Sequence, residues 1–181
     1  MKEVFQAGMV VGYKRYRNIK EFLFRAKLYD PLLHNRRPQR NATKGWRRCS
    51  TCITCKHSEN RVRFTCKATG ETFPILQNIT CKDDPTVYII ECKVCQLQYV
   101  GKSIQSMMNR GRQHIQAVES LTRAKDNKLY KHFSSPGHSH ADMTIFAIEK
   151  IHGDEFMLAA RERFWIDKLQ TTYRGLNTYR T

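Results

Sequence analysis

The sequence predicts an α/β (α+β) fold: a small three-stranded, mainly antiparallel sheet flanked by helices, behind a basic extension and a cysteine-rich segment. Three observations predict it. Two apolar, β-branched runs, TVYIIE at 86–91 and LQYVG at 97–101, lie so close that they can pair only as an antiparallel hairpin. A third run, MTIFAIEKI at 143–151, alternates as a strand does. Helical spacing of apolar residues fills the intervals.

The elements follow in order. CKVC turns the hairpin. A helix is expected from about Ser106 to Leu121, with Met107, Ile115 and Val118 on its apolar face. A shorter one covers Lys128–Phe133, and SSPGHSH then reads as a loop. After the third strand, Asp154 opens a helix running to about Gln170. Upstream, residues 49–85 hold short β-like pieces such as Val62–Cys66 and Phe73–Leu76, too little apolar material for an independent core. A short helix is expected around Asn18–Tyr29. The organisation read from this is 1–48, a basic arm or linker; 49–85, a cysteine-rich and potentially zinc-binding linker; and 86–181, the α/β domain.

Charge narrows the function. The 181 residues carry 32 Lys and Arg against 16 Asp and Glu, a formal net charge of +16. Residues 1–48 alone hold 13 basic and 3 acidic side chains, a net of +10. This balance argues against an ordinary metabolic enzyme for small neutral substrates and favours a polyanion, nucleic acid first. Arg47 and Arg48 in KGWRR, with Lys102 and Arg112 in the α/β domain, are candidate DNA contacts. The aromatics Tyr13, Tyr16, Phe22, Phe24 and Trp46 lie among the charges and are candidates for stacking on unpaired bases. No apolar run approaches the ~20 residues that span a bilayer, and no secretory signal is visible, so a soluble intracellular protein without a membrane partner is expected. RRPQR and KGWRR suit nuclear targeting.

All seven cysteines lie between Cys49 and Cys95. In a reducing compartment such a cluster reads as metal ligands before disulfides. Cys92 and Cys95, with His132 and His138, make a four-ligand set suited to structural Zn²⁺, although spacing alone leaves His140 as a substitute for His138. Cys49, Cys52, Cys55, Cys66 and Cys81 offer a second site, but five thiols exceed a tetrahedral set, and His57 widens the choice.

The most specific feature is an ordered constellation. Thr86-Val87-Tyr88 and Tyr99-Val100-Gly101 flank the hairpin turn; Arg110 follows Gly101 by nine residues; His114 stands four further on; Glu162 lies in RERFWI and Asn177 in GLN. Singly, each fits a core aromatic or a solvated charge equally well. Together, in this order, residues 86–177 resemble the GIY-YIG nuclease family. The cysteines inside the hairpin, the KHFSSPGH histidines and the cysteine-rich, basic stretch upstream are most similar to the endonuclease domain of Penelope-like retroelements. A reverse transcriptase normally precedes that linker, so the chain resembles the carboxy-terminal part alone.

The resemblance implies a Mg²⁺- (or Mn²⁺-) dependent DNA endonuclease that nicks target DNA for element integration, in the nucleus, with element RNA or a reverse transcriptase domain as further partners. It assigns Glu162 to the catalytic metal, a role that suits a hard carboxylate. Arg110 would grip the phosphate, Tyr88 would be the general base, and Tyr99 would position groups or contact phosphate. A tyrosine of pKa ~10 is a poor base at neutral pH, so metal and arginine would have to lower it. His114, one turn from Arg110 on the same helical face, would relay a proton or bind phosphate. Asn177 would tie the tail to the site. Two residues depart from the family pattern. Thr86 replaces a glycine, and Gly111 stands where an apolar residue is usual. A helical glycine costs roughly 1 kcal/mol, which is expected to loosen the arginine. Two other functions fit: a zinc-stabilised nucleic-acid-binding module without catalysis, and a cellular repair nuclease selective for branched DNA.

Overall fold

The computed structural model describes residues 44–120 and 127–178. The helix expected at 18–29 and the aromatics Tyr13, Tyr16, Phe22 and Phe24 lie outside the described residues.

The central strand is β5, Thr86–Cys92, and every residue of it is buried. Four β-branched residues of seven, Thr86, Val87, Ile89 and Ile90, suit a strand covered on both faces. β6, Gln98–Ser103, pairs with it antiparallel, placing Tyr88 opposite Gly101 and Ile90 opposite Tyr99. The other neighbour, β7 (Met143–Lys150), is also antiparallel, so the sheet order is β6-β5-β7. A register shift between Val87 and Tyr88 marks a bulge in that pairing. Amide side chains satisfy backbone groups at both edges. Asn177 bonds Val100 N and O at 2.9 and 2.8 Å on β6, and Gln77 bonds Lys150 N and O at 2.7 and 2.8 Å on β7. Each supplies the donor and acceptor that an edge strand leaves open.

Among the described residues three helices follow the expected order. α1 is Met107–Glu119, α2 is Lys128–Phe133 and α3 is Glu155–Lys168, where the Asp154 carboxylate accepts from Met157 N as N-cap. α3 stops short of Gln170, which adopts a left-handed conformation (φ 54°), and an unforeseen short helix α4, Thr171–Arg174, begins there.

The cysteine-rich segment forms two small ribbons. β1 (Gly45–Arg47) pairs parallel with β4 (Asn78–Thr80), and β2 (Arg63–Thr65) pairs antiparallel with β3 (Thr72–Pro74). The cross-strand pair Phe64–Phe73 packs edge-on against Trp165 of α3, at ring separations of 5.4 and 5.5 Å. A buried polar link joins the same segment to the sheet: Arg61 Nη1 donates to Glu91 at 2.7 Å, and Gln98 Nε2 donates to Glu91 and to Thr65 O. Its apolar residues thus share the core of the sheet, and residues 42–181 form one compact unit.

Trp46 corrects an expectation. It is fully buried, paired with Ile79 across β1–β4, and its Nε1 donates to Ser58 Oγ at 2.6 Å. It has no face available for stacking on a base. Among the described residues no helix is long and apolar enough to cross a membrane.

Candidate active site and metal centres

Tyr88 lies at the middle of the central strand and is fully buried. Gly101, directly opposite on β6, leaves room for its phenol: a Cβ there would lie 2.6 Å from Tyr88 Cζ and Oη. Real Cβ atoms do not approach so closely, so glycine is needed at this position.

Arg110 and His114 occupy one face of α1, as their i, i+4 spacing requires. Both reach the Tyr88 hydroxyl. Arg110 Nε donates to Tyr88 Oη at 3.0 Å, and His114 Nε2 lies 2.7 Å from the same oxygen. On the far side of the imidazole, Nδ1 is 3.2 Å from the hydroxyl of Tyr130, on α2. In the tautomer that leaves Nε2 as acceptor, Tyr88 Oη accepts from Arg110 and gives its own proton to Nε2, while Nδ1–H donates to Tyr130. Burial, and then the Arg110 charge, lower the His114 pKa to about 3, so the ring is neutral. Burial, with Tyr99 nearby, pushes the Tyr88 pKa well above the usual tyrosine value; Arg110 opposes this without overcoming it. The tyrosine base expected from the sequence is therefore protonated in this state.

Tyr99 sits beside the cluster, 6.4 Å from the Tyr88 ring and 6.1 Å from His114. It also lines a cavity of about 420 Å³, together with Glu162, Arg163, Ile166, Tyr173 and Asn177. Glu162, on α3, is buried; its Oε1 accepts from Lys102 N at 3.2 Å, and Lys102 Nζ stands 4.0 Å from Oε2. Among the described residues Glu162 belongs to no group of three or more clustered ligand atoms. A cation there would be held by one carboxylate and waters, which suits Mg²⁺.

The remaining expected residues fall as follows. Asn177 is engaged at the β6 edge, where it ties the tail to the strand that carries Tyr99. Lys102 is half-buried beside Glu162 and Arg112 is exposed on α1. Arg47 lies on β1, and Arg48 just after it donates to Ser58 O at 3.3 Å, so these two stand on a different element from the three-stranded sheet.

Two clusters meet the demands of Zn²⁺. The first is Cys49, Cys52, Cys55 and Cys81, whose Sγ atoms lie within 4.8 Å of one another. Cys55 is central, 3.5 Å from Cys49, 3.4 Å from Cys52 and 3.3 Å from Cys81. A tetrahedral Zn–S₄ centre has sulfurs about 3.8 Å apart, and a disulfide has them at about 2 Å, so these thiols are spaced as ligands. Cys66 drops out of the set: it lies elsewhere in the core, its Sγ 3.6 Å from Leu169 O. Hydrogen bonds from Thr51 lower the Cys49 pKa to about 5, whereas burial raises Cys52 to about 11. The second cluster is Cys92, Cys95, His132 and His138, with Cys92 Sγ 3.5 Å from His138 Nδ1 and Cys95 Sγ 3.3 Å from His132 Nε2. His138 therefore takes this position; His140 instead faces Glu119 at 3.5 Å.

Sequence reasoning missed Tyr130. Its only signal was a place on a predicted helix beside the apolar Leu129 and Phe133, which does not reveal that it faces His114. It also misjudged Gly111. That residue is buried against Thr54, and a Cβ there would overlap the threonine's Oγ1 and Cγ2. The glycine is a close-approach site holding α1 in place, and not a loosening of it.

The model of the GIY-YIG catalytic domain matches residues 84–177. Among solved structures, the catalytic domain of the homing endonuclease I-TevI is 22% identical over 54% of this chain and 100% of that one, with a TM-score of 0.46. A mutant of the I-TevI catalytic domain is likewise 22% identical, over 51% of this chain and 91% of that one, at 0.45. No curated protein matches this chain.

Proposed function

The chain belongs to the GIY-YIG family, and from that premise we propose that it is a divalent-metal-dependent DNA endonuclease that nicks one strand at a time. The observation carrying this reading is the Tyr88 hydroxyl held between Arg110 Nε and His114 Nε2, with Glu162 of α3 bonded to Lys102 N on the strand beside Tyr88.

Glu162 would hold Mg²⁺ or Mn²⁺, and the bound ion supplies charge neutralisation at the scissile phosphate. The other groups are the chain's own. An anionic phosphate arriving beside α1 favours the protonated imidazole, so the Tyr88 proton moves to His114 Nε2. The Tyr88 oxygen then takes a proton from the attacking water as its oxygen bonds to phosphorus. The bond to the 3′-oxygen breaks, that oxygen takes a proton from solvent, and His114 returns its extra proton to solvent. The products are a 5′-phosphate and a 3′-hydroxyl. Arg110 stays charged throughout; it steadies the phenolate and has further N–H donors for phosphate oxygens. Lys102, Arg112, Arg47 and Arg48 would neutralise flanking phosphates. Zn²⁺ in the two cysteine clusters would be structural, since four protein ligands leave no open position.

A 3′-hydroxyl at a nick can prime reverse transcription. With the cysteines inside the hairpin and the basic, cysteine-rich stretch upstream, this supports a Penelope-like retroelement endonuclease acting in the nucleus. Reverse transcriptase and element RNA would be its partners.

The test is conversion of supercoiled plasmid to nicked circles, with and without Mg²⁺, beside Glu162→Ala. Metal-dependent nicking that the variant loses at unchanged DNA affinity supports the reading. Tight binding without nicking across several divalent metals would favour a non-catalytic DNA-binding module.

A further inference from the structure

A helix start leaves backbone donors open, and α1 has no side-chain cap at Ser106. It is held instead from the cysteine cluster. Cys81 O accepts from Met108 N at 2.8 Å. The short 3-10 turn Ile53–His57, which follows Cys52 and contains Cys55, presses a fully buried Thr54 onto the same turn of α1. Thr54 Oγ1 lies 3.3 Å from Met107 O and 3.1 Å from Met108 O. Gly111 completes the joint, because only a residue without a Cβ admits the threonine; even the Thr54 Cβ would be 2.9 Å away. Arg110 sits between Met108 and Gly111, and therefore between the two halves of this contact.

The geometry points to a positioning role for the cysteine knuckle. Thr54 and Gly111 form the joint through which the Cys49–Cys52–Cys55–Cys81 site sets Arg110 and His114 against Tyr88. The two clamps, Thr54 and the Cys81 carbonyl, are 27 positions apart in the chain, and the four cysteines are free thiols with no covalent tie. A metal held by the four thiolates would fix the distance between Thr54 and the Cys81 carbonyl, and with it the helix start. Thr54 touches no reacting atom, so it is a positioning residue. The catalytic consequence rests on the nuclease reading above; the structural half does not.

The test follows the ¹⁵N–¹Hε NMR signal of Arg110 in the full chain, with single-turnover nicking at saturating DNA. The variants are Thr54→Val, Thr54→Ser, Gly111→Ala, and Gly111→Ala combined with Thr54→Gly. Thr54→Val keeps the shape and removes the hydroxyl. Thr54→Val and Gly111→Ala are expected to shift or broaden the Arg110 signal. They should retain zinc, keep DNA affinity within about twofold, and lower the nicking rate by roughly ten- to a hundredfold, as a misplacement of ~1 Å does. Thr54→Ser should keep the parental signal and rate, and Thr54→Gly should restore the signal in the Gly111→Ala background. An unmoved Arg110 signal and unchanged rate would overturn the proposal. So would a loss that only tracks DNA affinity or the folded fraction by circular dichroism. If the parent chain does not nick, the nuclease reading fails, while the Arg110 signal still decides whether the joint positions the arginine.

Discussion

Tyr88 Oη and His114 Nε2 stand 2.7 Å apart, and the histidine is neutral because burial, aided by Arg110, lowers its pKa to about 3. A neutral imidazole is the only form that can accept the tyrosine's proton. Burial also raises the Tyr88 pKa, so the transfer is uphill in this state, and an anion entering beside the pair is what would favour it.

Replacing His114 with Gln removes that acceptor while keeping a polar side chain. Single-turnover nicking should fall about a hundredfold or more, the scale of general acid–base catalysis. Affinity for uncleaved DNA should not change, since His114 is buried beneath Tyr88 and Tyr130. Gel-shift titrations beside rapid-quench cleavage measure both.

The same histidine makes stability pH-dependent. Its pKa is about 3 when folded and about 6.5 when unfolded. Between these values the unfolded chain carries a proton that the folded chain lacks. Stability is thus fully present above about pH 6.5 and is lost as pH falls towards 3. Urea midpoints measured from pH 7.5 to 5 should drop more steeply for the parent than for His114→Gln. Both proteins keep the cysteine clusters, so protonation of metal ligands cancels in the comparison.

Gly101→Ala places a methyl group 2.6 Å from the Tyr88 phenol and 2.8 Å from Tyr99 Cε1. Overpacking of this kind costs about 1–3 kcal/mol. Here the phenol it meets is the one that Arg110 and His114 bond. The denaturant midpoint should fall, and nicking should fall by more than the loss of folded protein explains.

Two zinc ions per chain are expected by metal analysis of protein purified without chelator. Cys55→Ala, which removes the central thiol of one cluster, and Cys95→Ala, in the other, should each leave one ion and lower the melting temperature, because metal binding is coupled to folding. Cys66→Ala should leave two.

What was legible in the sequence was local. The β5–β6 hairpin follows from two apolar runs too close to pair any other way, and Arg110 and His114 share a face through the helical repeat. The Cys92, Cys95, His132 and His138 set was readable because its two halves lie on adjacent elements of one domain. The other set was legible with one cysteine too many, Cys66, and the sequence could not choose among the five. Cys81 joins Cys49 only because β1 and β4 pair in parallel with Arg47 opposite Thr80, which brings the two chain exits together. Trp46 looked like a surface aromatic among arginines, yet the same pairing buries it on Ile79. Gly111 looked like a weak point because its partner, Thr54, lies 57 positions away in the chain, beyond any periodicity rule.

The most direct measurement is the single-turnover rate of Mg²⁺-dependent plasmid nicking by Tyr88→Phe against the parent chain, at saturating DNA and equal folded fraction. The account predicts a loss of about a hundredfold or more at unchanged DNA affinity, because the phenol oxygen is the group that takes the water's proton. Parental nicking by the phenylalanine variant would contradict it and remove Tyr88 from the chemistry.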